Sequence, residues 1–134
     1  MVSTEYTHLK KDEKAIAKRF RAQYYFAGEW IYDVHLDVPA LVLPAWWTKQ
    51  DRINWSDLRA KRIDLLIKGP REHWIMEITP KLSKPAVGGV LVYRDLYLTQ
   101  FKPDVPTKMG IIVEVDDPAY HKTCKKNNIE WWVV

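Results

Sequence analysis

Residues 61–80 read KRIDLLIKGPREHWIMEITP, and this stretch decides the fold. Two apolar runs, Ile63 to Lys68 and Trp74 to Thr79, flank Gly69-Pro70-Arg71-Glu72, whose glycine and proline have the chemistry of a turn. A four-residue hairpin loop sets Lys68 opposite His73. Counting back, Leu66 meets Ile75, Asp64 meets Glu77 and Arg62 meets Thr79. Side chains alternate faces along a strand, so Asp64 and Glu77 become neighbours on one face. Two carboxylates in that position repel, and a fold tolerates them when a cation or a proton sits between them.

Toward the C-terminus, Pro80 and Pro85 end the second strand and open a helix from about Lys84 to Gln100. Val87, Val90, Leu91, Tyr93, Tyr97 and Leu98 fall at its helical spacings. Gly88-Gly89 costs that helix about 1 kcal/mol per glycine relative to alanine, which points to close approach of helix and sheet. Met109 to Val115 is a buried type of strand. Asp117-Pro118 supplies an N-cap followed by proline for a short helix to about Lys126. Asn127-Asn128 closes it, and Ile129 to Val134 is a last strand.

Toward the N-terminus, Ala15, Ile16, Ala17, Phe20 and Tyr24 predict a helix over about Thr7 to Gln23, and Gly28 is its stop. Trp30 to Val38 alternates, with Trp30, Tyr32, Val34, Leu36 and Val38 on one face and Asp33, His35 and Asp37 on the other. Ala40 to Leu43, between Pro39 and Pro44, reads as a short strand or edge segment. The irregular stretch from Ala45 to Lys61, with Trp46, Trp47 and Trp55, reads as a loop with at most a short helix. The sum is a single α/β domain over residues 1–134, with a mixed central sheet flanked by helices on both faces.

Composition narrows the class of function. At 47% hydrophobic and 28% charged, the 134-residue chain is globular in type, and no apolar run approaches the roughly 20 residues of a membrane span. No charged-then-apolar leader is seen, and the single Cys124 forms no disulfide within the chain, so a reducing compartment and no signal-peptide export are expected. The four histidines are scattered without metal-ligand spacing, which argues against zinc. Seven Trp and seven Tyr against three Phe exceed what so small a chain fully buries, so some of these rings are expected to face a partner. The net charge of +4 is concentrated in Lys10, Lys11, Lys14, Lys18, Arg19 and Arg21, with a second group at Lys122, Lys125 and Lys126. Solvated helix faces explain these groups most simply; a surface for phosphate or an acidic partner is the alternative.

The stretches Arg62-Ile63-Asp64-Leu65-Leu66-Ile67 and Trp74-Ile75-Met76-Glu77-Ile78-Thr79-Pro80, the helix at Gly88-Gly89-Val90-Leu91-Val92-Tyr93 and the closing Asn128-Ile129-Glu130-Trp131-Trp132-Val133-Val134 together resemble the PD-(D/E)XK nuclease-like superfamily. The likeness covers about Arg62 to Val134, and small members of this kind occur in tailed bacteriophages. It implies a restriction-endonuclease-like core. It also implies that Asp64, Glu77 and the backbone carbonyl of Ile78 would hold Mg2+, with Glu13 as a further acid. Phosphodiester cleavage uses such a hard cation, bound by oxygen ligands, to activate water and offset phosphate charge.

The sequence departs from the family at the Glu-x-Lys motif, where Thr79 replaces the lysine, and in the helix, where Gly89 replaces a glutamine. Lys81 has the strand parity to substitute as the catalytic cation. Arg62 supplies charge but no base, and Lys68 stands about four residues from Asp64. The expectation is a nuclease fold with a degenerate site, serving as a structural or assembly component of a bacteriophage virion, in the head, neck or tail. It would be a homo-oligomer in contact with other protein subunits, located in the virion or host cytoplasm. The alternative is a Mg-dependent DNA endonuclease in DNA processing or packaging. DNA would then be met by Lys10, Lys14, Lys18 and Arg62. A module that holds duplex DNA without cutting it is a third option.

Overall fold

The computed structural model describes residues 10–40, 42–59 and 61–134. In chain order the elements are α1 (Lys11–Gln23), β1 (Glu29–Leu36), α2 (Lys49–Arg59), β2 (Lys61–Lys68), β3 (His73–Ile78), α3 (Lys84–Phe101), β4 (Thr107–Val113), α4 (His121–Lys126) and β5 (Ile129–Val133). One sheet has the order β1-β2-β3-β4-β5. The β1–β2 and β2–β3 pairs are antiparallel, and β3–β4 and β4–β5 are parallel. The expected single α/β domain with a mixed sheet is therefore present. Among the described residues, no helix is long and apolar enough to cross a membrane.

The sheet is covered on both faces. Ile16, Ala17 and Phe20 of α1 pack over Leu65, Ile67, Met76, Ile78 and Ile112. On the other face, Ala86, Val87, Val90 and Tyr97 of α3 and Cys124 of α4 pack over Leu66, Ile75, Met109 and Ile111. This two-sided burial is the reason that β3 and β4 read as nearly continuous apolar runs. The parallel pairings require crossovers, and α3 and α4 supply them.

The hairpin forms in the expected register, with Lys68 opposite His73 and Leu66 opposite Ile75. Helix α3 begins where Ser83 caps it, its hydroxyl accepting the Ala86 N–H at 3.4 Å. Asp117 caps the 3-10 turn Pro118–Tyr120 ahead of α4, accepting the Ala119 N–H at 3.0 Å.

Four expectations need correction. Helix α1 starts at Lys11; Thr7 to Leu9 of the expected helix lie outside the described residues. Ala40, Val42 and Leu43 are not in a strand. The supposed loop at 45–61 contains the eleven-residue helix α2. Its start is a reciprocal cap: Asp51 N–H donates to Thr48 Oγ1 at 3.0 Å, while Thr48 N–H donates to Asp51 Oδ2 at 3.1 Å. Finally, β1 does not keep one face. Trp30 and Tyr32 pack with α1, whereas Val34 and Leu36 pack on the α3 side. The change occurs at Asp33, whose φ of 59° is left-handed and breaks the strand's alternation; aspartate tolerates this conformation better than most residues.

Candidate functional site

The β2–β3 hairpin places Asp64 beside Glu77. The two carboxyls hydrogen-bond each other. Asp64 Oδ2 also accepts the Ile78 N–H at 2.9 Å, which ties the acid of β2 to the backbone of β3. Across the other strand, the β1–β2 ladder runs from Glu29–Lys68 to Leu36–Lys61 but skips the position where Asp33 faces Asp64. Helix α3 roofs the pair. A Cβ at Gly89 would stand 3.7 Å from Glu77 Oε2, and Tyr93 lies one turn further on.

The electrostatics follow from burial among like charges. Desolvation pushes both acids up. For Asp64 it is opposed by the hydrogen bonds from Glu77 and the Ile78 amide, and reinforced by the charge of Asp33. For Glu77, burial acts first, then the hydrogen bond and charge of Asp64, then Glu13; together they push its carboxyl up to about 10. Glu77 is thus the protonated partner at neutral pH, and a proton fills the role that the sequence assigned to a cation or a proton. Tyr93 is pushed up to about 12, by burial first and by Glu77 and Asp64 next.

The remaining predicted residues lie around this pair rather than in it. Beyond Pro80, Lys81 forms an isolated bridge with Val115, and its Nζ stands 3.9 Å from Asp117 Oδ2. Arg62 is across from His35 in the ladder, with its Nε 3.8 Å from Asp33 Oδ1. The antiparallel ladder of β2 and β3 stops at Leu65–Met76, one step before the expected Asp64–Glu77 pairing and short of Arg62–Thr79; the Asp64 side chain on the Ile78 amide takes over from the ladder there. Thr79 donates its N–H to Ile112 O at 3.0 Å. Glu13 sits in the first turn of α1 and accepts the Lys10 N–H at 3.2 Å. Lys10, Lys14 and Lys18 are exposed along α1, and Lys68 is exposed at the hairpin end.

Asp33 is the member of this neighbourhood that the sequence reading left out. Its signal was present: an aspartate at mid-strand, in the residue class that enters the left-handed region. As a donor set, Asp64, Glu77 and the carbonyl of Ile78 are all oxygen, which suits a hard cation such as Mg2+. As they stand, the two carboxyls spend their contact on each other, so a cation would have to displace the proton they share. Among the described residues, no three or more His, Cys, Asp or Glu side chains are gathered in a group able to hold a metal ion. Two further dyads lie elsewhere. His73 Nδ1 is 2.7 Å from the buried Tyr97 hydroxyl, and His121 Nε2 is 2.8 Å from Asp116 Oδ1.

Compared with known proteins, the chain matches no family model, no curated protein and no solved structure.

Proposed function

We propose that this protein is a nuclease-like domain with a degenerate site, used as a structural or assembly component, with the PD-(D/E)XK resemblance pointing to a bacteriophage virion. The observation that carries the reading is the acid pair itself. Asp64 and Glu77 meet as a nuclease pair would, yet burial and each other's proximity push both carboxyls up, Glu77 to about 10, while Thr79 stands at the position of the motif lysine and Lys81 keeps company with Asp117. A protonated carboxyl is a poor metal ligand, and a threonine hydroxyl neither carries charge nor takes a proton from water at neutral pH.

The test is incubation of the purified protein with supercoiled plasmid in Mg2+ or Mn2+, beside Asp64→Ala and Glu77→Ala. The expected result is no nicking above the variants' level, together with a discrete oligomeric mass in light scattering that the two substitutions leave unchanged. Nicking by the parent chain that both substitutions abolish overturns the reading.

A second reading, a Mg-dependent DNA endonuclease, is favoured by one observation. The charges that act on the pair include two more carboxylates, Asp33 on Asp64 and Glu13 on Glu77. A divalent cation entering such a site gains from all of them. When bound, the metal would supply an activated water. Asp64 and Glu77 would orient it, and the exposed Lys10, Lys14, Lys18 and Arg62 would offer charge to the phosphate backbone. The same nicking assay decides between the two.

A further inference from the structure

Strand β5 ends the sheet, and among the described residues no strand pairs with its outer side. Val134 N–H donates to Val113 O, so Glu130, Trp132 and Val134 turn their backbone groups toward β4. By alternation, Ile129, Trp131 and Val133 turn their N–H and C=O groups outward. Exposed edges are ordinarily guarded by lysine, proline or a bulge. The sequence of β5, Ile-Glu-Trp-Trp-Val, has none of these and a single charge.

Aromatic side chains flank this edge on both faces of the sheet. Trp131 stacks on His121 on one side of the sheet, with ring centroids 4.5 Å apart. On the other side, Trp132 joins Phe20, Phe26 and Trp74 in ring contacts of 5.4 to 5.7 Å. A cavity of about 610 Å3 is lined by Trp74, Lys108, Lys125, Asn128, Glu130 and Trp132. Its rim is basic. Lys125 and Lys126 are exposed in the last turn of α4, and Lys108 Nζ sits 5.6 Å over the Trp74 ring while bonded to Glu72 at 2.9 Å.

We propose that β5 accepts an additional strand from another protein: an extended acidic segment that puts an apolar side chain into the Trp74–Trp132 cavity and a carboxylate against Lys125. The outward backbone groups of Ile129, Trp131 and Val133 supply the hydrogen bonds, and the cavity selects every second side chain of the guest. The charges favour such a guest over a second copy of this chain. An antiparallel self-pairing over all five residues centres on Trp131 and sets Glu130 across from Trp132, with no carboxylate for Lys125. The covered ring faces favour it over single-stranded nucleic acid. Stacking needs open ring faces, and Lys108 covers Trp74 while Arg21 lies 4.7 Å over Trp30. The inference stands apart from the acid pair of β2 and β3, and neither nicking result bears on it.

The experiment selects a phage-displayed library of random twelve-residue peptides on the purified protein and measures the winners as synthetic peptides. The expected winners alternate acidic and apolar residues. They slow hydrogen exchange at the amides of Ile129, Trp131 and Val133, and they lose at least about tenfold in affinity to Lys125→Glu. Val133→Pro removes one outward donor and leaves the bonds to β4, so it is expected to weaken binding; Val133→Thr keeps the donor and is expected to bind as the parent does. Winners without acidic residues, protection elsewhere in the chain, or affinity indifferent to Lys125→Glu and to Val133→Pro overturn the proposal. So does an empty selection. Concentration-dependent doubling of mass with the same amides protected assigns the edge to a second copy, and displacement of the peptides by a single-stranded oligonucleotide assigns it to nucleic acid. Either result also overturns it.

Discussion

Asp64 and Glu77 stand side by side on adjacent strands, joined by a hydrogen bond between their carboxyls, with Asp64 further anchored by the Ile78 amide. The relationship makes stability depend on pH with a definite sign. Glu77 titrates near 4.5 in an unfolded chain and is pushed up to about 10 in the folded one. Below about 4.5 both states hold the proton and its contribution is fully present. From there to about 10 the unfolded chain has released a proton that the folded chain keeps, so stability falls as pH rises. Glu77→Gln keeps a hydrogen-bond donor and removes the titration. The variant is expected to melt several degrees above the parent at pH 8 and close to it at pH 4, in thermal unfolding followed across that range. Equal slopes for the two proteins would show that no proton is shared.

Gly88 and Gly89 suggested tight contact between α3 and the sheet, and the contact is looser than that. A Cβ at Gly88 meets nothing within 4 Å. Gly88→Ala is therefore expected to stabilise the protein by about 0.5–1 kcal/mol, through helix propensity and a less flexible unfolded chain, measurable as a shift of the urea midpoint without a change in slope.

Gly110 is the opposite case. A Cβ there would fall 2.4 Å from the Trp132 ring and 2.5 Å from Met76 Sδ. Gly110→Ala forces the Trp132 indole outward, with an expected loss of about 1–3 kcal/mol and a red shift of tryptophan emission. Unchanged emission and midpoint would mean that the ring relaxes at no cost.

Thr48 and Asp51 clasp the start of α2. Thr48→Ala is expected to cost about 1 kcal/mol, and hydrogen exchange should speed up chiefly in the first turn of α2. Uniform acceleration across β2 and β3 would instead couple this cap to the whole fold.

Much of this molecule was legible in its sequence because short-range signals agreed. Turn chemistry at Gly69-Pro70 and alternation on either side fixed the register that brings Asp64 to Glu77, and the aspartate cap ahead of Pro118 stood where the sequence put it. Helix α2 was read as at most a short helix because its polar and charged residues hide any apolar stripe; Thr48-x-x-Asp51 was the signal that outweighed composition. The switch of face in β1 was illegible to a period-two reading, since one left-handed residue, Asp33, reverses which side chains point inward. The settling of a proton between the two acids needed three dimensions. Burial by α3 and the charges of Asp33 and Glu13 come from elements far apart in the chain.

The sheet order β1-β2-β3-β4-β5 also means that spatial neighbours are successive strands of the chain. No strand has to be threaded between two that have already joined, and the longest excursions between partners are those that carry α2 and α3. Loop closure is correspondingly cheap, so contact order is modest for a sheet protein and folding should be brisk. On a ribosome, the sheet can grow at one edge in the order of synthesis, with the hairpin of β2 and β3 as a local seed. The tryptophan-rich last strand then adds only after every other strand has found its place.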